Sequence, residues 1–346
     1  MQERLYPMNR PDGHVPPIPR YSAHPDIASR RLVALFVGVQ SMDRAGIVAS
    51  GFEKFLSAAR RAAEAPAYLD RAAFIDSAGF NNSLAAMYWP GREAYDAWAG
   101  SEAVRNWRTA SARPEQRFGW WWEPISVPVD RSETIAFKEF LRGVSACPFS
   151  KLEPTASTGY WGAARDRIPA SGYDRLAGSA EHLTFLDSPT PTHDRQVTIR
   201  PPRGMAIIRS GVSWDACGEE QLLSYEQNVR PKLDAGMKYL VDHPLESGCC
   251  SLRQVVALDD AGAEMKEGYS LGAFLSLDHL ESWSKHHPTH LAIYHRAMME
   301  RKKFQERLQL RTYNEIFVVD EQALDFEYFN CHQDTGLLRY FPEIIR

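Results

Sequence analysis

The chain has 346 residues, 44% of them hydrophobic and 24% charged, with a formal net charge of −4. This is an ordinary globular composition, long enough for a large core and two domains. It holds no long basic tract for nucleic acid, no apolar run near the roughly 18 residues of a membrane span, and no apolar signal-peptide stretch at its start. The five cysteines, Cys147, Cys217, Cys249, Cys250 and Cys331, show no CxxC spacing. That argues against a disulfide framework or a structural zinc and fits a reducing cytoplasm.

In chain order, residues 1–30 are proline-rich and read as an extended arm over the surface or over a partner subunit. The apolar run 32–39 predicts a strand. Residues 51–65 have the spacing of an amphipathic helix, with Phe52, Phe55 and Leu56 on one stripe. Two strands, 73–77 and 82–89, follow around a turn at 79–81, then a helix over 92–108 and a last strand at 118–123. The second half repeats this order: strand 205–209, helix 215–241, strand pair 250–258 and 265–275, helix 278–306, strand 312–319. Each half is a β-α-β-β-α-β unit, and the chain reads as an α+β protein of two tandem ferredoxin-like repeats around antiparallel sheets. The expected divisions are the arm 1–30, a first half 31–150, an irregular linker 151–204 and a second half 205–346.

The stretch Trp283–Leu291 packs His286, His287 and His290 around Pro288, before a helix free of Gly and Pro. A histidine held at a helix start beside a proline can be aimed rigidly into a cavity, as an axial metal ligand must be. The ordinary alternative is a solvated, capping cluster. Registering Trp98 on Trp283 sets Arg105 of the first half against His290 of the second, so the first repeat offers no ligand at that place. In the linker, GYWGAARDRIP (159–169) concentrates two aromatics with Arg165, Asp166 and Arg167. It is either an Arg–Asp knot on the surface or a loop that brings an arginine to a pocket.

Four motifs in order carry a resemblance: GYWGAARDRIP, then AIIRSGVSW (206–214), then HPTHL (287–291), then YFNCHQDTGLLR (328–339). Together, over about residues 30–340, they resemble the haem-containing aldoxime dehydratases. The resemblance implies a dimeric α+β barrel fold, a b-type haem between sheet and helix, a homodimer, and dehydration of an aldoxime to a nitrile at ferrous iron. Residue by residue it implies that His290 is the axial ligand and that Ser210 hydrogen-bonds the aldoxime hydroxyl. Arg167 matches the distal arginine, with Arg165 as its rival. Cys331, in the tail motif, then reads as a buried structural thiol rather than a ligand.

One position departs from the family. Where the family has a distal histidine that acts as general acid, the run LRTYNEI (310–316) places Asn314. Asparagine has no titratable proton. The expectation therefore divides three ways: a slow dehydratase with the proton from elsewhere, another acid such as Glu315 or His332, or a haem enzyme acting on a different N–O or N–N substrate. A haem carrier or sensor is the reading from outside enzymology; it would need an axial ligand but no Ser210 and Arg167 over the iron.

Overall fold

The computed structural model of the chain describes residues 4–111 and 117–345. Its strands are β1 (Tyr21–Pro25), β2 (Arg31–Ser41), β3 (Tyr68–Ile75), β4 (Asn81–Trp89), β5 (Gly119–Pro128), β6 (Ser132–Ala136), β7 (Ser150–Pro154), β8 (Gln196–Ile199), β9 (Ala206–Ser213), β10 (Cys249–Leu258), β11 (Glu264–Phe274), β12 (Arg311–Val318) and β13 (Phe326–Phe329). They join in one sheet, ordered β7-β1-β6-β12-β9-β11-β10-β3-β4-β2-β5-β13-β8, with antiparallel neighbours throughout. Two quartets within it, β5-β2-β4-β3 and β12-β9-β11-β10, have the same order relative to the chain. They meet edge to edge where β3 pairs with β10.

The sheet is strongly curled. Strands β10 and β5 lie four places apart, about 19 Å along a flat sheet at the usual inter-strand spacing. Yet Arg253 of β10 and Glu123 of β5 form a bidentate pair at 2.6 and 2.7 Å. Arg31, at the start of β2, likewise reaches Asp320 just beyond β12 at 2.9 Å. Curling turns one face of each quartet inward. There Leu32, Phe36 and Trp121 of one half pack with Ile207, Leu271 and Phe317 of the other.

The outward faces carry the helices. Over the first quartet, helices Phe52–Ala59, Arg92–Ala99 and Glu102–Ser111 cover β2, β4 and β5. That layer is filled by rings: Trp98 stacks on Trp122 at 5.7 Å and Phe55 on Trp107 at 4.4 Å. Over the second quartet lie helices Arg230–Asp242, Leu277–His286 and Pro288–Phe304, against Ile316, Val318 and Phe274.

Several boundaries differ from expectation, each for a physical reason. The helix expected over 215–241 is interrupted by a π-helical turn, Tyr225–Val229, directly before Pro231. Proline cannot donate the helical hydrogen bond, and the wide turn accommodates the gap. Pro288 divides the last helix in the same way, and Gly100 with Ser101 divides 92–108. The segment 51–65 is helical only to Ala59. Residues 21–25 of the expected arm are a strand paired with both β6 and β7. Leu5, Asn9 and His14 of the arm lie on residues 155–173 of the same chain: Leu5 N donates to Gly172 O at 2.7 Å, Asn9 N to Asp166, and the His14 ring meets Thr158 O. The linker 151–204 contributes most of β7, all of β8 and a short helix, Ala163–Arg167.

The ring-filled layer yields a prediction. Trp98→Ala should open a cavity there and lower stability by about 3–5 kcal/mol, read as a shift of the urea midpoint, while leaving the second half's helical face unaltered.

Candidate active site

Side chains alternate across a strand, so residues 210 and 314 project to the helix side while 209, 313 and 315 project into the barrel. The register sets Ser270, Ser210 and Asn314 in one row across β11, β9 and β12. Ser210 donates to Asn314 Oδ1 at 2.7 Å. With Oδ1 so engaged, the Asn314 amide nitrogen is that side chain's donor. Flanking rows add Gly268, Val212 and Thr312 on one side and Gly272, Ile208 and Ile316 on the other. Ser210 and Thr312 are exposed and Asn314, Ser270 and Val212 are half-buried, whereas Arg209 and Glu315 next to them are enclosed. Helices roof this face, and its floor is made of small, incompletely covered residues.

The roof is built by two helices. Met237 of Arg230–Asp242 accepts a hydrogen bond from Ser270 Oγ. A Cβ on Gly236 would come within 2.7 Å of Ile293, so this glycine is what lets Pro288–Phe304 approach. His290 is one helical turn before Ile293 and shares its face. The other histidines are accounted for. His287 caps the helix, accepting from Thr289 N, and stacks on Tyr239 at 3.7 Å; His286 and His295 are exposed. His290 differs: its Nδ1 is buried without a hydrogen-bond partner. Its ring lies edge-on to Trp283 at 4.7 Å and to Trp161 at 6.1 Å. Burial holds its pKa below the usual histidine range, opposed by the Ser284 carbonyl. A neutral imidazole is the form that ligates a metal.

Trp161 is a site residue that sequence reasoning missed. It packs on His290 and, at 4.8 Å, on Tyr294, and so joins the 159–169 loop to the helix Pro288–Phe304. Its only signal was its place in that motif, because an aromatic in a loop reads equally well as surface.

Arg167 is held differently from either local expectation. It does not pair with Asp166, which instead accepts from Asn9 and from Tyr160 Oη at 2.8 Å. Arg167 forms a bidentate, buried pair with Glu133 of β6 at 2.7 and 3.0 Å and donates to Ser157 O. Glu133 stands opposite Ile316, the next same-face position beyond Asn314 on β12, so Arg167 borders the Ser210–Asn314 row. Arg165 turns away to Asp278 and Glu281.

Neither alternative acid reaches this row. Glu315 projects into the barrel, where Tyr88 Oη and Val144 N donate to it; burial raises its pKa, against the pull of Arg209. His332 pairs with Asp76 at 3.0 Å, beside the β3–β4 turn. Cys331 is likewise remote, buried with its thiol on Trp120 O, and burial pushes its pKa up. Ser210 lies within β9 and does not end it: Gly211 continues the strand, and a Cβ there would strike the Tyr313 ring. Inside the barrel, the cavity beside Arg253 and Leu271 measures about 10 Å³, room for one water at most.

No group of three or more His, Cys, Asp or Glu that could hold a bare metal ion occurs among the described residues. One orphaned imidazole over a face of glycines, serines and aliphatic residues fits a group that brings most of its own ligands to the iron, as a porphyrin does. The chain belongs to the family described as haem-containing dehydratases, whose model matches residues 35–337. It is 32% identical over 340 residues to an aliphatic aldoxime dehydratase of Rhodococcus erythropolis, covering 95% of this chain and 92% of that one. It is 28% identical over 345 residues to a phenylacetaldoxime dehydratase of Bacillus sp. (strain OxB-1), covering 96% and 94%. A crystal structure of an aldoxime dehydratase in complex with butyraldoxime superposes with a TM-score of 0.87 at 30% identity, covering 97% of this chain and 93% of that one.

The two arginines should separate on substitution. Arg167→Met leaves Glu133 charged and buried and should cost about 3–5 kcal/mol. Arg165→Met, whose partners are the largely exposed Asp278 and the part-exposed Glu281, should cost less, about 1 kcal/mol. Urea unfolding of the two variants measures the difference.

Proposed function

We propose that this chain is a haem-dependent lyase that converts an aldoxime to a nitrile and water, with His290 as the axial ligand and Ser210, Asn314 and Arg167 across from it. The observation that carries the proposal is His290 itself: a half-buried imidazole whose Nδ1 is enclosed without a hydrogen-bond partner, on the helix that roofs the face bearing Ser210 and Asn314. The haem is taken as b-type, because no CxxC spacing offers thioether attachment, and as ferrous in the active state, because the family resemblance implies it. Two tandem ferredoxin-like repeats account for the repeated strand order of the quartets. A homodimer follows from the family resemblance alone. A reducing cytoplasm suits five free thiols.

Haem held by His290 would supply an iron for the oxime nitrogen, chemistry that weakens the N–O bond. The protein's own groups act on the oxygen. Dehydration removes one proton from the aldoxime carbon and breaks the N–O bond, with the oxygen leaving as water, so that oxygen must gain a proton. Ser210 Oγ and the Asn314 amide nitrogen can hold it by hydrogen bonds. The Arg167 guanidinium, clamped by Glu133, is a fixed positive neighbour. None of these three is an acid near neutral pH, and with Glu315 and His332 directed elsewhere the proton is drawn from solvent.

Two outcomes test this. His290→Ala should abolish haem retention and the axial imidazole signature in the absorption spectrum; retention with that signature unchanged would refute the ligand assignment. Asn314→His should accelerate aldoxime dehydration under anaerobic, reducing conditions by up to the 10²–10⁴-fold, roughly, that general acid catalysis supplies. If haem and aldoxime still bind and no gain appears, that result favours a second reading, in which the protein handles another N–O or N–N ligand that needs no protonation.

A further inference from the structure

Arg20, the last residue before β1, is buried to 8% exposure. All of its hydrogen bonds go to uncharged oxygens: Ala136 O at 3.3 Å, Ile135 O at 3.5 Å, and Thr312 O and Oγ1 at 2.9 and 3.3 Å. Its guanidinium lies 4.4 Å from the centre of the Phe137 ring. No carboxylate of the described residues forms an ion pair with it, which is unusual because buried charges are normally compensated. The Arg167 guanidinium is close enough to repel it, Glu133 is the carboxylate that opposes this, and burial with that repulsion pushes the pKa down to about 10. But Glu133 is already engaged on both oxygens by Arg167. Two guanidinium groups therefore share one carboxylate.

The location is specific. Thr312 is on the helix-side face of β12, the next same-face position before Asn314, and is exposed. Glu133 is opposite Ile316, the next same-face position after it. Asn314 is thus bracketed at the β6 edge by Arg20 on one side and by Arg167 with Glu133 on the other. A groove of about 300 Å³ between the arm and β7 has Pro19, Arg20, Tyr21, Pro154 and Thr155 in its wall.

Resting on the reading of this face as the haem and substrate site, we propose that Arg20 and Arg167 form an anion-binding wall at its edge, and that Arg20 binds a carboxylate there. The arm is then part of the active site. The carboxylate has two possible sources, a haem propionate or an acid group on the substrate's side chain, and both present the same planar pair of oxygens to a guanidinium fork.

The experiment uses the full chain as wild type, Arg20→Lys and Arg20→Gln. Release of haem and of haem dimethyl ester to a haem-scavenging protein is timed for each. Binding of a carboxylate-bearing aldoxime and of its methyl ester is titrated on the ferrous protein by the Soret shift. If the propionate is the ligand, Arg20→Gln should release haem about 10- to 100-fold faster while release of the diester is unchanged. If the substrate is the ligand, the same factor should appear as weaker binding of the carboxylate aldoxime alone. Arg20→Lys should keep most of either effect. Equal changes for acid and ester, or a lowered melting temperature with neither difference, would overturn the proposal in favour of an arginine that only pins β1. A wild-type chain that takes up no haem would instead overturn the His290 reading, and this one with it.

Discussion

Arg209 is enclosed in the barrel, where Asp70 accepts from it at 2.6 Å, Tyr88 Oη lies at 3.1 Å and Glu315 at 3.6 Å. Asp70 and Tyr88 belong to the first quartet of strands, Arg209 and Glu315 to the second. Together with Arg253 and Glu123, these groups commit the two halves to face one another, because opening the curl would part Arg209 from Asp70 and Arg253 from Glu123 in the interior. Desolvating such groups is costly, and removing one member of a pair is costlier than removing both. The network is thus a strong constraint on shape. It also orients the candidate site, since Ser210 follows Arg209 and Asn314 precedes Glu315. Once the charged residues point inward, alternation directs their neighbours to the helix side.

The same plan serves two ends on the two outer faces. Over the first quartet, Trp98, Trp107, Trp120 and Trp122 leave no space between sheet and helices. Over the second, the corresponding layer has Gly268, Ser270, Gly272 and Ser210 on its floor and His290 in its roof. Trp98 and Trp283 are buried in both halves, but Arg105 is exposed where the sequence register sets it against His290. What distinguishes a core from a binding face here is side-chain volume in one layer, on a strand order the halves share.

Much of this was legible in the sequence, and the remainder fails for identifiable reasons. Of the eight strands of the two quartets, β2 and β4 were readable because burial on both faces gives them nearly unbroken apolar runs, and the others because apolar, β-branched and aromatic residues cluster between turn signals. The short strands β1, β6, β7, β8 and β13 were not, because five residues or fewer beside prolines and charges carry no period. His290 was singled out by its motif and by comparison of the halves, and its isolation from His286, His287 and His295 required the structure. The partner of Arg167 was invisible: Glu133 is 34 residues away on another element, and local spacing suggested Asp166. Glu315 was a plausible acid by proximity in sequence and is ruled out by the pleat, which sends consecutive residues to opposite sides. The N-terminal arm read as a surface strap, and nothing in its prolines announced that Arg20 would be buried against the site.

Strict alternation also shapes how this site can change over generations. A point substitution at position 314 rewrites the chemistry of one face and leaves Tyr313 and Glu315 to keep the barrel closed behind it. A single-residue insertion or deletion in β12 would do the opposite. It would carry Glu315 into the pocket and Asn314 into the ion network, losing fold and function together. Position 314 is thus open to exchange one side chain at a time and closed to change in length, so a histidine and an asparagine there are neighbours in mutational space on an unaltered scaffold.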